Sequence, residues 1–134
     1  MQTNVEVIPA KSDEFLCVAT YLPVRSWLNV VPFLLTSRKV LKQLGSEEGV
    51  VKYAVKADFR RKSFWTFSIW SNKEVLHKFV RADPHATAVK RFSSWAGEGA
   101  AFVEWRSTDA SINWDQAKKR LKNPTFYYKT SQTK

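Results

Sequence analysis

The segment Ser63–Phe92 constrains the fold of this chain more than any other part of the sequence. Phe64 to Trp70 is rich in aromatic and β-branched residues, which predicts a strand. Ser71 starts a Ser-x-x-Glu pattern, which is typical of a capping box at a helix start. Asp83-Pro84-His85 predicts a break and a restart, because Asp caps a helix N-terminus and Pro fits its first position. A strand followed by a kinked amphipathic helix is therefore expected.

The composition predicts one folded domain over residues 1–134. The chain is 44% hydrophobic and 14% aromatic, which is enough for a real core. No apolar run reaches the ~18 residues of a membrane span, and the N-terminus lacks an export pattern. We therefore expect a cytoplasmic protein with no membrane partner. The lone Cys17 is expected to be a small buried apolar residue.

The net charge of +10 is spread over several elements, including the turn Arg60–Lys62 and the segment Lys118–Lys122. Such spread favours a solvated surface. Charge alone supports only non-specific attraction to nucleic acid, which is disfavoured as a partner but left open. No Cys/His cluster has the spacing of a zinc site, and no metal is expected.

Hydrophobic periodicity predicts the order of the elements. Residues 1–12 are expected to be loosely held, 14–107 to form the core, and 113–123 to form a C-terminal helix. The first helix is placed after an irregular lead-in, because Pro32 is tolerated in a first turn but costs about 3 kcal/mol in a helix interior. Phe126 to Tyr128 are expected to dock, with the last residues frayed. The remaining core elements are the strand Phe15–Leu22, the helix Pro32–Leu44, the strand Val50–Phe59 and the strand Ala100–Arg106.

This β-α-β-β-α-β order predicts an α+β, ferredoxin-like fold with an antiparallel sheet, both helices on one sheet face, and an extra C-terminal helix. The other sheet face then carries apolar residues, among them Val50 and Phe102, with nothing to cover them. A back-to-back homodimer covers such a face, since a two-fold contact uses the same patch twice.

The segment RRKSFWTFSIWSNKEVLHKFVRADPHATAVKRF resembles the middle of antibiotic-biosynthesis-monooxygenase-like proteins of the dimeric α+β barrel superfamily. The matching residues are Trp70, the Ser-x-x-Glu helix start, Phe79 and Pro84-His85, and an uncharacterised branch also carries a similar VPFLLTSRKVLKQL helix. The resemblance, over roughly 14–107, implies a homodimeric barrel that binds a small planar aromatic or phenolic ligand. It also implies oxidation of that ligand without a metal or organic cofactor. The superfamily includes members that catalyse other reactions and members with no known reaction. The resemblance therefore predicts the fold better than it predicts the function.

His85 is the candidate general base or orienting group. It lies near the N-terminus of the restarted helix, where the helix dipole disfavours the charged imidazolium. A neutral ring facing a pocket can accept a proton from a phenol. The alternative is a local hydrogen bond at the kink. His77 is expected to face solvent or the helix edge.

Aromatic residues from the strands and a helix are candidate pocket walls, although most, Trp27 included, are expected to be core. Trp65 and Trp70 alternate along one strand, so at most one of them faces a given pocket. Arg38 is a candidate to hold a carboxylate or phenolate at the pocket mouth, and a solvated helix face is its alternative. The candidate substrate-binding residues are Trp65, Trp70, Tyr53, Phe79, Trp105 and Arg38.

Haem degradation is disfavoured. In haem-degrading relatives an Asn on or near the first strand acts with a Trp and a His, whereas here the nearest Asn is Asn29, beyond that strand. No second histidine follows His85 where a haem ligand is expected by resemblance. The same missing Asn leaves a non-catalytic ligand-binding or sensor module as the alternative to an oxidising enzyme.

Overall fold

The computed structural model describes residues 14–128. The expectations for residues 1–12 and for the chain end after Tyr128 concern residues outside this range. A short 3₁₀ turn, Phe59–Arg61, joins the second and third strands. The elements are β1 (Phe15–Pro23), α1 (Trp27–Gly45), β2 (Val50–Asp58), β3 (Ser63–Trp70), α2 (Lys73–Arg81), α3 (His85–Trp95), β4 (Ala101–Ser107), α4 (Trp114–Arg120) and β5 (Phe126–Tyr127).

The five strands form one antiparallel sheet in the order β2-β3-β1-β4-β5. Strand β1 lies in the middle, paired with β3 on one side and with β4 on the other. The first four strands have the arrangement of a ferredoxin-like fold, so the predicted α+β class is confirmed. Strand β5 adds an edge that the sequence pattern did not predict, because two residues are too few for a periodic signal.

Alternation along the strands gives the sheet two faces. On the helix face, Leu16 and Val18 pack with Trp70, Leu44 and Phe79. A second cluster, at the other end of the same face, joins α1 and α3 to β3 through contacts among Phe33, Phe64 and Phe92. Val50 and Phe102 also pack on this face. The expectation that they lie on an uncovered face was wrong.

The outer face of the sheet is partly covered by the chain itself. Ala117 of α4 is 1% exposed, and it packs with Cys17, Phe67 and Trp105. Trp114 adds an edge-on contact with Phe67, their ring centroids 5.8 Å apart. The premise of a bare outer face is therefore corrected, because the C-terminal helix folds back over it.

Helix α1 begins at Trp27, five residues before the predicted start at Pro32. The turn is closed by Asn29, whose backbone N–H donates to the Ser26 carbonyl at 3.1 Å and whose side chain donates to Ser26 Oγ at 2.9 Å. Val30, before the proline, is 5% exposed in the core. Burial of an apolar side chain contributes about 2 kcal/mol, which offsets much of the cost of Pro32 inside the helix.

The start of α2 also differs from the prediction. The Ser71 backbone N–H donates to the Gly49 carbonyl at 2.9 Å, so this residue still extends the sheet. Asn72 is the actual cap, with its side chain accepting from the Val75 N–H at 2.9 Å. The break before α3 is confirmed: Asp83 Oδ1 accepts from the N–H and the hydroxyl of Thr87.

Candidate functional site

A cavity of about 950 Å³ lies between the helix face of the sheet and helices α1 to α3. Its size is within the ~300–1,000 Å³ of small-molecule sites, and its lining is largely apolar. Strands β1 to β4 form the floor, the helices form the roof, and the residues around β5 close one end. The cavity exists because the helices rest on the two aromatic clusters at either end of the sheet and span the middle.

His85, the first residue of α3, lies in the roof of this cavity. Its ring lies beside Phe79, with centroids 4.9 Å apart, and its Nδ1 is 3.2 Å from the Val80 carbonyl oxygen. Because a carbonyl oxygen only accepts, this contact assigns the ring proton to Nδ1 and leaves Nε2 as the basic nitrogen. Burial lowers the pKa of His85 below its usual value, and the bond to Val80 opposes that shift in part. The imidazole is therefore neutral at pH 7.

Gln43 of α1 holds the backbone around His85. Its side-chain oxygen accepts from the His85 backbone N–H at 2.9 Å, and its nitrogen donates to the Phe79 carbonyl at 3.2 Å. One amide thus ties α1 to the end of α2 and the start of α3. Sequence reasoning missed this residue, since the partners are 42 and 36 positions away and no local pattern connects them.

Hydroxyl groups lie in the otherwise apolar floor. The hydroxyls of Thr20 and Thr66, directly opposite on β1 and β3, hydrogen-bond to each other. Ser68 Oγ accepts from Trp70 Nε1 at 2.8 Å. In the sequence, these residues are marked by their alternation with the apolar residues of the same strands.

Three of the predicted wall residues lie at the cavity. Trp70 and Phe79 are both buried, with ring centroids 5.2 Å apart, and they form the wall next to His85. Tyr53, on the edge strand β2, is 44% exposed and lies at the cavity mouth. These residues come from β2, β3 and α2, so the fold brings together side chains that the sequence could only group by type.

Of the other three predicted wall residues, Trp105 and Arg38 lie outside the cavity and Trp65 only borders it. Trp105 is buried on the outer face, where the Arg120 guanidinium lies 5.2 Å from its ring. Trp65 borders the cavity along its strand, but its ring packs against Tyr21 on the outer face, with centroids 5.5 Å apart, since alternate residues of a strand point to opposite sides. Arg38 is exposed on α1 and is not part of the lining. The expectations for Trp105 and Arg38 are therefore corrected by strand and helix geometry, while Trp65 stays at the border of the cavity.

Charged groups lie at the rim rather than inside. Lys73 and Glu104 form an ion pair at 3.8 Å, which neutralises both charges at one border of the cavity. His77 is exposed at the same border. Asn29 and Trp27 lie at the start of α1, outside the lining.

Within residues 14–128, no group of three or more His, Cys, Asp or Glu side chains is arranged to hold a metal ion. Cys17 is buried on the outer face, and burial raises the pKa of its thiol. None of the helices described is both long and apolar enough to cross a membrane.

The sequence matches no protein-family model and no curated protein. The fold is similar to several solved structures. A conserved protein from Methanosarcina mazei Go1 is 16% identical, with a TM-score of 0.62 over 71% of this chain and 94% of that chain. An antibiotic biosynthesis monooxygenase is 14% identical, with a TM-score of 0.61 over 72% and 99% of the two chains.

SnoaB, a cofactor-independent oxygenase from Streptomyces nogalater, is 10% identical, with a TM-score of 0.54 over 75% of this chain and 96% of that chain. The resemblance to antibiotic-biosynthesis-monooxygenase-like proteins is therefore confirmed at the level of the fold. Identities of 10–16% show a shared fold and leave the reaction to be argued from the site.

Proposed function

We propose that this protein binds a small planar aromatic or phenolic molecule in the cavity beneath α1 to α3 and oxidises it with molecular oxygen, without a metal or organic cofactor. The observation that carries the proposal is the neutral, half-buried His85 in the roof of a largely apolar cavity of about 950 Å³. Trp70 and Phe79 supply flat apolar walls for a planar ring. The hydroxyls of Thr20, Thr66 and Ser68 supply polar contacts along the floor.

His85 acts as the base. Its Nε2 takes the phenolic proton, and the phenolate transfers one electron to dioxygen, giving a phenoxyl radical and superoxide. The pair combines at a ring carbon to form a peroxide, which the His85 imidazolium protonates. The O–O bond then breaks as the same ring carbon loses its hydrogen as a proton, and this proton leaves with the departing hydroxide as water. One phenol and one O₂ therefore give one quinone and one H₂O. The ring supplies all the electrons, and the protein supplies orientation and one proton relay.

A non-catalytic ligand-binding or sensor module is the second candidate. It is favoured by the neutrality of the inward-facing polar groups, because the Lys73–Glu104 pair cancels its own charge and Arg38 lies outside the lining. If the protein is a sensor, the cavity binds the same class of ligand, and the ligand leaves unchanged. Binding then alters how the protein assembles.

The deciding experiment is aerobic turnover of a panel of planar phenols and hydroquinones, followed by oxygen uptake and quinone absorbance. His85→Ala is expected to lower kcat by about 10²–10⁴-fold while leaving the ligand Kd within a few-fold, because the base acts in the chemical step. His77→Ala is the matched control and is expected to retain wild-type turnover. Equal losses of turnover and affinity in His85→Ala contradict the catalytic role, and binding without turnover in the wild type supports the sensor.

We also propose a homodimer. The part of the outer sheet face beyond α4 carries the aromatic pair Tyr21 and Trp65, both half-buried, with Lys56 lying 5.7 Å from the Trp65 ring. A two-fold contact through this patch uses aromatic residues, which are frequent at interface centres. Sedimentation velocity of the wild type and of Trp65→Ala tests it: the wild type is expected to sediment as a dimer and the variant to dissociate at lower concentration.

A further inference from the structure

The outer side of α1 carries an apolar stripe that residues 14–128 leave largely exposed. Leu28 is 88% exposed, and Trp27, Val31 and Leu35 are each 56–62% exposed. Spacings of three and four residues place Trp27, Leu28, Val31 and Leu35 along one side of the helix, opposite the core residues Val30 and Phe33. We call these four residues the α1 stripe.

Basic residues lie at both ends of the α1 stripe. Beyond Leu35 the same helix continues with Arg38, Lys39 and Lys42, all exposed. At the other end, the Val24 backbone N–H donates to the Lys62 carbonyl at 2.7 Å, and Lys62 Nζ lies 5.4 Å from the Trp27 ring.

The basic turn Arg60–Lys62 therefore borders the start of the helix. Within this turn Arg61 approaches Asp58 at 3.9 Å. Helix α1 itself contains no Asp or Glu over its 19 residues.

We propose that the α1 stripe docks this protein on the surface of an anionic lipid bilayer. The apolar side chains enter the boundary between headgroups and acyl chains, with the Trp27 indole at the depth that aromatic rings favour. The flanking cations lie among the anionic headgroups, where each Lys or Arg adds attraction. The proposal goes beyond the ligand cavity and does not depend on it.

Charge complementarity favours a bilayer over a second copy of this chain. An antiparallel two-fold contact between two α1 stripes brings Arg38, Lys39 and Lys42 of one chain towards the basic turn of the other, and like charges repel. The phosphates of a nucleic acid attract the cations, but nucleic acid offers no apolar phase in which Leu28 and Leu35 can be buried. An anionic bilayer provides both anionic headgroups for the basic residues and an apolar phase for the α1 stripe.

Hydropathy along the sequence predicted no membrane partner because it tests for a continuous apolar run. A helix that lies in the interface needs only an apolar side. The α1 stripe was also hidden by the late predicted start of the helix, which placed Trp27, Leu28 and Val31 in an irregular lead-in. Their common orientation becomes visible only once α1 is known to begin at Trp27.

Co-sedimentation with vesicles tests the proposal on the full chain. Vesicles of phosphatidylglycerol and phosphatidylcholine are compared with vesicles of phosphatidylcholine alone, at low and at physiological salt. The wild type is expected to bind the anionic vesicles, and salt is expected to weaken binding. Leu28→Glu/Leu35→Glu is expected to lower the partition coefficient at least about tenfold, because two apolar side chains leave the interface.

The matched control is Val51→Glu/Tyr127→Glu, which makes the same charge change at two exposed apolar positions on the edge strands β2 and β5. It is expected to retain binding within about threefold, since its charges lie away from the stripe. Leu28→Ser/Leu35→Ser, which keeps the net charge, is expected to lose binding as the Glu pair does. Circular dichroism checks that each variant is folded.

Absence of binding to anionic vesicles at low salt overturns the proposal. An equal loss in the control also overturns it, since net charge alone then explains the binding. Sedimentation velocity supplies the third contrary result: if Leu28→Glu/Leu35→Glu reduces the assembly state while vesicle binding is unchanged, the stripe is a subunit interface.

Discussion

At the scale of the residue, His85 combines two properties: it is half-buried, and its ring hydrogen-bonds to a backbone carbonyl. The sequence correctly singled it out through the Pro-His kink. The helix N-terminus was the predicted reason for its neutrality, whereas burial is the main cause in the structure. Burial depends on Phe79 and on the helices above the sheet, which no local pattern reveals.

The lowered pKa of His85 predicts a specific pH dependence of stability. The unfolded chain binds a proton at this residue near pH 6.5, while the folded chain binds it only at lower pH. Stability is therefore complete above pH 6.5 and falls as the pH drops towards the folded pKa, because the unfolded state takes up more protons. Urea unfolding between about pH 7.5 and 5 measures this slope.

His85→Gln is expected to flatten that slope, and His77→Gln, which replaces an exposed histidine, is the matched control. Asp83 and Asp109 do not interfere, because their pKa values are lowered below 3.8 by hydrogen bonds to Thr87 and Ser111, and they titrate under more acidic conditions. A slope in His85→Gln equal to that of the wild type contradicts this assignment.

Gln43 offers a second prediction at the same scale. Gln43→Ala removes the acceptor of the part-buried His85 N–H, which then lacks its hydrogen bond. The Phe79 carbonyl loses one donor and keeps the Ala82 N–H at 3.2 Å. The expected loss in free energy of unfolding is about 1–3 kcal/mol. Chemical denaturation measures it, with the exposed neighbour Lys42→Ala as a control expected within about 0.5 kcal/mol of the wild type. A Gln43→Ala value within that same range contradicts the role.

At the scale of the element, the start of α2 shows why a sequence motif can be right in kind and displaced by one residue. Ser71-x-x-Glu74 matches a capping box, but the Ser71 N–H is already bonded to Gly49 at the sheet edge. The chain turns one residue later, and Asn72 becomes the cap. The competing bond lies 22 positions away, beyond the reach of any helix signal.

The cap assignment predicts unequal costs for two adjacent substitutions. Asn72→Ala is expected to lower the free energy of unfolding by about 1 kcal/mol, because the Val75 N–H loses its acceptor. Ser71→Ala is expected to change the free energy of unfolding by less than about 0.5 kcal/mol, since Ser71 bonds to Gly49 through its backbone N–H, which alanine keeps. Thermal or urea unfolding of the two variants measures both losses. A larger loss for Ser71→Ala than for Asn72→Ala contradicts the structure.

At the scale of the whole molecule, the order and type of the seven elements from β1 to β4 were predictable, because each carries its own periodicity or break signal. The helix α4 was predicted as an element, but its position over the outer sheet face was not. That position depends on Trp114 meeting Phe67 and on Ala117 being small enough for close contact with the sheet. Such contacts between distant segments decide which face stays bare, and hence where ligand, partner and membrane can approach.

The central claim is that the cavity beneath α1 to α3 holds a planar small molecule. Native mass spectrometry of freshly purified protein, with identification of any released species and uptake from the panel of planar phenols, tests it directly. The comparison includes Ala88→Phe, which fills the cavity, and Arg91→Phe, an exposed control on the same helix. One planar molecule per chain is expected in the wild type and in Arg91→Phe, with occupancy reduced about tenfold or more in Ala88→Phe. No bound species in any of the three, or equal uptake by all three, contradicts the claim.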